Sequence, residues 1–339
     1  GKRVALISGT TVGGMDISEL HYEQMQSDKS LSFLLQGNEC GKSTEEMAEL
    51  LNLHGVECCT ISTACSSALN SIILGSEMLK RDEVDIVIAG GSEALSRFHL
   101  NGFNTLMILD KERCRPFDAT RAGLNLGEGA AFVVLEKCKD NALAYITGYG
   151  NRCDAFHQTA SSDNGEGAYL AMRDALEMAK MNASDISYIN AHGTGTPNND
   201  MSESQSIKRV FGDHIPYVSS TKSYTGHTTS ASGSIESVIC ILALQNNFVP
   251  ANLGWLNRDE NAITPTMGCE GIELNNVICN SFGFGGNDSS IIISKSPVEY
   301  ELSSASYQSK IVADRVVETM EELASLREFI SPLESRRMG

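Results

Sequence analysis

Ile61-Ser62-Thr63-Ala64-Cys65-Ser66-Ser67-Ala68-Leu69-Asn70 joins two kinds of sequence. Before it, Val56, Cys58, Cys59, Thr60 and Ile61 have strand character. After it, Leu69, Ile72, Ile73 and Met78 recur at helical spacing. A strand that turns into a helix at one cysteine predicts an α/β layered fold with the sulfur at a helix N-terminus. Outward N–H groups and the positive end of the macrodipole are expected to favour thiolate over thiol there. A free cysteine is also common core filler, so Cys65 acquires meaning only from the rest of the chain.

The same grammar repeats outward from this stretch. Val4–Gly9 and Val84–Gly91 are short apolar runs that stop at glycine, the pattern of strands buried on both faces. Residues 16–54 are polar and mixed, read as surface helices and loops. Ala130–Glu136 and Ala144–Gly150 read as strands, and residues 166–181 as an amphipathic helix. Ile186–Ala191 leads to His192-Gly193-Thr194-Gly195-Thr196-Pro197, and Tyr217–Thr221 leads to Lys222-Ser223-Tyr224-Thr225-Gly226-His227. A helix of small residues follows from Ala231. Ile278–Ser281 runs into Phe282-Gly283-Phe284-Gly285-Gly286-Asn287, and Ile291–Ser294 closes the sheet. Alternating strands and helices predict two similar α/β halves with the unusual residues at strand ends, where sites form in such folds.

Composition excludes several classes. A chain of 339 residues, 41% hydrophobic, can bury a sizeable core. A formal charge of −17 argues against nucleic acid as a partner. An acidic partner would need a local basic patch, for which Arg97, Arg113, Arg115 and Arg121 are the candidates. The 10 cysteines include no C-x-x-C spacing, so neither a metal site nor a disulfide framework is expected. With no signal peptide and no apolar run of membrane length, the expected location is the cytoplasm, away from any membrane. The Thr10–Gly14 loop lacks the Lys-Ser or Lys-Thr of a phosphate-binding loop.

Three strand-end loops offer Cys65, His192 and His227. Gly193, Gly195 and Gly226 beside the histidines allow close approach that a packing histidine does not need. Lys222 stands five residues before His227 and Glu236 nine after it. A buried lysine needs a partner, and a carboxylate near an imidazole would fix its tautomer. One cysteine with two histidines suits acyl transfer to the thiolate followed by carbon–carbon bond formation. The histidines would hydrogen-bond the carbonyl of a malonyl thioester, and the N–H groups of Cys65 and Phe284 would hold each oxyanion.

Thr63-Ala64-Cys65-Ser66-Ser67, His192-Gly193-Thr194-Gly195-Thr196, Lys222…Gly226-His227 and Asn280-Ser281-Phe282-Gly283-Phe284-Gly285-Gly286 resemble, in order, four signatures of the elongating β-ketoacyl-[acyl-carrier-protein] synthases. The resemblance implies the thiolase-like α/β fold of two similar βαβ-type halves, layered α-β-α-β-α and usually dimerised. It implies Cys65 as acyl acceptor, His192 and His227 as the decarboxylation pair, Lys222 as an electrostatic support, Glu236 as a structural carboxylate and Phe284 as the acyl gate. Phe282, Thr194, Thr196 and Asn280, inside the signatures, are supporting residues. Asp200 and Glu203 match as well, with a role as helix-start carboxylates equally open. The partners implied are acyl- and malonyl-loaded acyl carrier protein and a second subunit, identical or related; no cofactor and no metal are implied.

The halves are expected at residues 1–140, carrying Cys65 and lacking the family's first strand, and 141–297, carrying both histidine loops. Residues 298–339 form a tail with helix-like spacing over 311–329, and Phe329–Gly339 resembles a segment the family carries near its N-terminus. A second departure is Thr229-Ser230-Ala231-Ser232-Gly233-Ser234, where the family commonly has glycine and alanine, so hydroxyls enter the packing behind His227. The leading function is decarboxylative Claisen condensation in fatty-acid or related polyene or polyketide synthesis. A chain-length-factor-like scaffold subunit is opposed by Cys65 with both histidines. A thiolase-like, coenzyme-A-dependent condensation needs a second cysteine where Phe282 and Phe284 stand, Cys279 being poorly placed inside a strand. A cysteine protease has no use for the paired histidines.

Overall fold

A computed structural model describes residues 1–137, 141–298 and 309–311. In chain order the first half contains β1 (Val4–Gly9), α1 (Met15–Ser27), α2 (Cys40–Leu50), β2 (Glu57–Ile61), α3 (Ser67–Lys80), β3 (Ile86–Glu93), α4 (Arg97–Thr105) and β4 (Gly129–Glu136). The second contains β5 (Ala144–Cys153), α5 (Glu166–Ala179), β6 (Tyr188–Asn190), α6 (Pro197–Phe211), β7 (Tyr217–Ser219), α7 (Lys222–Thr225) and α8 (Ser232–Asn246). The minor strands β8 (Phe248–Val249) and β9 (Cys269–Glu270) pair with each other, and β10 (Asn276–Gly283), β11 (Asn287–Ser294) and β12 (Ser309–Ile311) complete the list.

Ten strands form one sheet in the order β2-β1-β3-β4-β12-β5-β11-β10-β6-β7. From its middle, the run β12, β4, β3, β1, β2 mirrors the run β5, β11, β10, β6, β7. In each, the second strand is antiparallel to the first and third, and the third, fourth and fifth are parallel. β12 and β5 are themselves antiparallel. The halves are therefore related by a pseudo-twofold, and β12 stands where β5 stands in the other half. Ser294, the last residue of β11, pairs with Tyr145, while Ser309 pairs with Ile146 on the opposite edge of β5.

Wholly apolar runs such as Val4–Ile7 and Ile291–Ile293 are fully or nearly fully buried because helices cover both faces. α3 and α8 pack on each other between the two halves. On the far faces, α2 brings Ala48 and Leu51 against Val4, Leu6, Ile86 and Ile88. α5 and α6 bring Met172, Ala175, Ile207 and Phe211 against Ile189, Ile278 and Ile292. Gly9 is required where α3 enters this packing, since a Cβ there would come within 2.7 Å of the Ala68 backbone nitrogen.

The strand and helix positions read from the sequence are found, with two differences. β11 does not close the sheet: it lies inside it, paired over its length with both β10 and β5. The tail contains a strand, Ser309–Ile311, which pairs with β4 and β5. The rest of its helix-like spacing, and the segment Phe329–Gly339, lie outside the described residues.

Candidate active site

Cys65 is delivered by a strained turn. Ala64 has φ of +52°, the left-handed region that a residue with a Cβ enters only at a cost of order 1 kcal/mol. The turn is tied to the glycine loop from the other half: Ser66 Oγ and Asn70 Nδ2 each donate to Asn287 Oδ1 at 2.8 Å. At Gly283 a Cβ would lie 2.7 Å from the Thr63 carbonyl, so only glycine lets the two loops meet. The Phe284 N–H favours the ionised form of the Cys65 sulfur.

Cys65 Sγ lies 3.0 Å from His227 Nε2, and the rings of His227 and His192 meet edge to face at 5.2 Å. One donor atom from each of the three residues lies within 4.8 Å of the others, and all three side chains are buried. They line a cavity of about 330 Å³ with Phe103, Ile108, Leu124, Phe282 and Phe284, and with Thr194, Thr196 and Asn198. Phe284 stacks on Phe103 of α4 at 5.8 Å, and Phe282 is tilted against His192 at 5.7 Å. The four loops found in the sequence thus converge on one cavity, with Cys65 from the first half and the histidines and Phe284 from the second.

Burial sets the electrostatics. Desolvation pushes the Cys65 thiol up to about 12, against the pull of Lys222 and of the Phe284 N–H. The expectation of a resting thiolate is therefore corrected. Cys65 precedes Ser66, the residue that caps α3. A helix-terminus contribution of about 0.3–1 kcal/mol at ordinary sites is too small to offset full desolvation. Burial, with Lys222 and the neighbouring histidine adding to it, holds His192 well below its ordinary value. His227 is held down likewise by burial, then by Lys222 and His99. At neutral pH both rings are neutral, each with one N–H.

Lys222 and Glu236 form a pair buried to 1% and 2% exposure, Nζ to Oε1 2.5 Å. Burial lifts Glu236 to about 6 despite the lysine. Glu236 is committed to Lys222, so it is not the group that orients an imidazole. Asp200 and Glu203 are more than helix-start charges, because both brace the His192 loop. Glu203 accepts the His192 N–H at 2.8 Å, the Gly193 N–H at 2.7 Å and an Asn280 amide hydrogen at 3.2 Å. Asp200 accepts from the N–H groups of Gly195 and Phe117. Desolvation lifts Glu203 to about 7. Thr194 and Thr196, which also line the cavity, share a hydrogen bond of 2.9 Å.

Sequence reading missed Glu93 and Ser232. Glu93, at the end of β3, accepts from the Thr11 and Val12 N–H groups, from the Ser230 N–H and from the Thr229 hydroxyl. It holds Thr229 at φ +43°, rare for a β-branched residue, directly behind His227. No local signal marks Glu93, because its partners are remote in the chain. The Ser232 hydroxyl lies 2.9 Å from His227 Nδ1; its signal was the departure from small apolar residues after His227.

The expected basic patch is not assembled from all four arginines. Arg115 pairs with Asp110 and Glu112, and Arg121 with Asp259 and Asp200. Cys279 is buried inside β10, beside Ser237 and away from the cavity. The described cysteines are free thiols. No helix among the described residues is long and apolar enough to cross a membrane.

Comparison with known proteins agrees with this geometry. Residues 1–141 match the family model "Beta-ketoacyl synthase, N-terminal domain", and residues 143–255 match "Beta-ketoacyl synthase, C-terminal domain". A 3-oxoacyl-[acyl-carrier-protein] synthase 2 of Coxiella burnetii is 35% identical over 314 residues, 86% of this chain and 75% of the relative. Its counterpart in Vibrio cholerae is 31% identical over 315 residues, 86% of this chain and 76% of the relative. Among solved structures, the ishigamide ketosynthase/chain length factor aligns with TM-score 0.81 at 30% identity, covering 86% of this chain and 75% of that one. A ketosynthase in complex with its chain length factor from Xenorhabdus doucetiae aligns with TM-score 0.78 at 34% identity, covering 86% and 74%. With both family models matched, and with a cysteine and two histidines brought together at the meeting of two thiolase-like halves, the chain belongs to the β-ketoacyl synthases, the condensing acyltransferases.

Proposed function

We propose that the chain condenses an acyl group held on Cys65 with a malonyl unit carried by acyl carrier protein, giving 3-oxoacyl-acyl carrier protein and carbon dioxide. The observation that carries the reading is the buried contact of Cys65 Sγ with His227 Nε2, with His192 beside it. In the first half-reaction the thiol attacks the acyl thioester. Its proton passes to His227 Nε2, the sulfur–carbon bond forms, and the departing carrier thiolate takes the proton. In the second, the His192 and His227 N–H groups hold the malonyl thioester oxygen as the carbon–carbon bond to the carboxylate breaks and carbon dioxide leaves. The enolate attacks the acyl carbon, the N–H groups of Cys65 and Phe284 hold the oxyanion, and the sulfur is expelled and takes a proton from His227 Nε2–H, which water replaces.

In this reading Lys222, fixed by Glu236, keeps both histidines neutral and draws the Cys65 thiol back toward ionisation. Glu203, Asn280 and Asp200 hold the His192 loop, Thr194 and Thr196 receive the carrier's arm, and Phe284 over Phe103 gates the acyl cavity. The halves divide at residues 1–140 and 141–297, and β12 supplies to the first the strand that β5 supplies to the second. The names of the relatives and of the aligned complexes support acyl carrier protein as donor and a dimer with an identical or related subunit. A bare scaffold role is disfavoured by the complete cysteine–histidine set. The reaction is placed in the cytoplasm, in fatty-acid or polyene and polyketide synthesis.

The test is intact mass after mixing with acyl-loaded carrier, before and after adding malonyl-loaded carrier. An adduct at Cys65 that is discharged as a product two carbons longer appears supports condensation. A folded chain that takes no acyl group sinks it.

A further inference from the structure

Ser232 opens α8, and its Oγ lies 2.9 Å from His227 Nδ1, across the ring from the nitrogen that touches Cys65. The pair is buried, so no solvent competes for that nitrogen. A neutral imidazole carries one proton, and the partner of one nitrogen decides where it sits. A carbonyl or carboxylate at Nδ1 fixes the proton there, and a backbone N–H fixes it on Nε2. A hydroxyl does either, since it both donates and accepts.

The condensation proposed above, on which this inference rests, asks His227 for both forms. Nε2 must be bare when Cys65 gives up its proton and protonated when the malonyl oxygen is held. We propose that Ser232 is a positioning residue that lets His227 serve both half-reactions by reversing the direction of the Nδ1 hydrogen bond. During acylation Nδ1–H donates to Ser232 Oγ, whose own hydrogen turns to Thr228 Oγ1, 3.4 Å away. Before condensation Nδ1 releases its proton through the Ser232 hydroxyl to water, Nε2 takes up a proton from water in the cavity, and Ser232 O–H then donates to Nδ1. No proton is gained or lost between the two states.

Around this ring stand Cys65 ahead of α3, His192 after β6, Lys222 of α7 with Glu236 of α8 behind it, His99 of α4 and Glu93 at the end of β3. A change of pH profile is therefore read against the parent protein. The experiment compares parent, Ser232→Ala and Ser232→Thr in three measurements. These are the rate of acyl transfer from acyl carrier protein to Cys65 by intact mass, malonyl decarboxylation in a Cys65→Gln background, and the pH dependence of Cys65 alkylation by iodoacetamide. Loss of one such hydrogen bond predicts a fall of roughly tenfold in each half-reaction. Carrier KM stays unchanged, the alkylation profile moves, and threonine restores all three. If the parent performs both half-reactions and Ser232→Ala matches it within about twofold, with an unmoved profile, the inference fails and the condensation reading stands. If threonine is as slow as alanine, the position is one of packing and the inference again fails. If a folded parent neither acylates nor decarboxylates, the underlying reading fails first.

Discussion

Replacing Lys222 by methionine separates the structural from the chemical role of the buried ion pair. Lys222 and Glu236 are almost wholly desolvated and bonded to each other, and Glu236 Oε2 has no other protein partner among the described groups. Removing the lysine alone strands a carboxyl group that already sits at about 6 with its partner present. Breaking one side of such a pair costs about 3–5 kcal/mol, which in a chain of this size lowers Tm by roughly 4–7 °C. Adding Glu236→Leu removes the stranded group, and replacing both members by apolar residues is often neutral, so the double variant should recover most of the loss. Reactivity should not recover. Lys222 is the largest influence pulling the Cys65 thiol down, ahead of Glu236 pushing it up. With both gone the thiol lies higher still, and alkylation by iodoacetamide at pH 8 slows in single and double variants alike. Thermal melts and alkylation rates on the same samples decide. A single variant as stable as the parent, or a double variant with parental Cys65 reactivity, would falsify the account.

Four further outcomes are expected. His192→Ala and His227→Ala should each remove malonyl decarboxylation, assayed as carbon dioxide release in a Cys65→Gln background; a rate within twofold of that background contradicts the donor roles. Phe284→Ala and Phe103→Ala should each broaden the acyl lengths that load on Cys65, because the two rings form one stack, and an unchanged length profile by mass spectrometry removes them from the gate. Glu203, lifted to about 7 from an ordinary 4.5, binds a proton in the folded chain that the unfolded chain has lost. Its contribution is complete below pH 4.5 and fades as pH rises through about 7, so denaturant melts of Glu203→Gln should show a weaker fall of stability over that window than the parent. Lys310→Pro removes a backbone N–H from the strand between β4 and β5, and should lower Tm by several degrees; an unshifted melt would mean that β12 does not hold the halves together.

Much of this was legible because the reacting residues stand in short local patterns. A strand and a helix flank each of Cys65, His192 and His227, with glycine turns beside the two histidines, and periodicity finds strands and helices without knowing their neighbours. What was not legible depends on contacts between remote parts of the chain. Glu93 looks like any carboxylate, yet its six donors come from the loop after β1 and the turn behind His227. Burial is equally invisible in sequence: a helix N-terminus suggested a thiolate at Cys65, but the packed cavity reverses the balance. Glu236 was placed near His227 by spacing, and the fold hands it to Lys222 instead. β12 is three residues long in a tail whose spacing suggests helix, and only the unpaired edges of β4 and β5 give it a place.

The thiol pushed up to about 12 and the site proposed for acyl transfer are compatible once the timing of charge is considered. A resting thiolate in an apolar cavity would carry the full cost of desolvation throughout the wait for substrate. A neutral thiol beside a neutral imidazole carries none of it, and charge is created only as the sulfur attacks and the carbonyl oxygen moves onto the N–H groups of Cys65 and Phe284. In the proposed second half-reaction the same cavity wall would serve again, because loss of carbon dioxide spreads charge toward the thioester oxygen that the two rings would hold. In the proposed reaction Lys222 then has a single electrostatic task in both: a fixed positive charge that favours every developing anion. That explains why it is buried with Glu236 and not left to solvent, where screening would remove most of its influence.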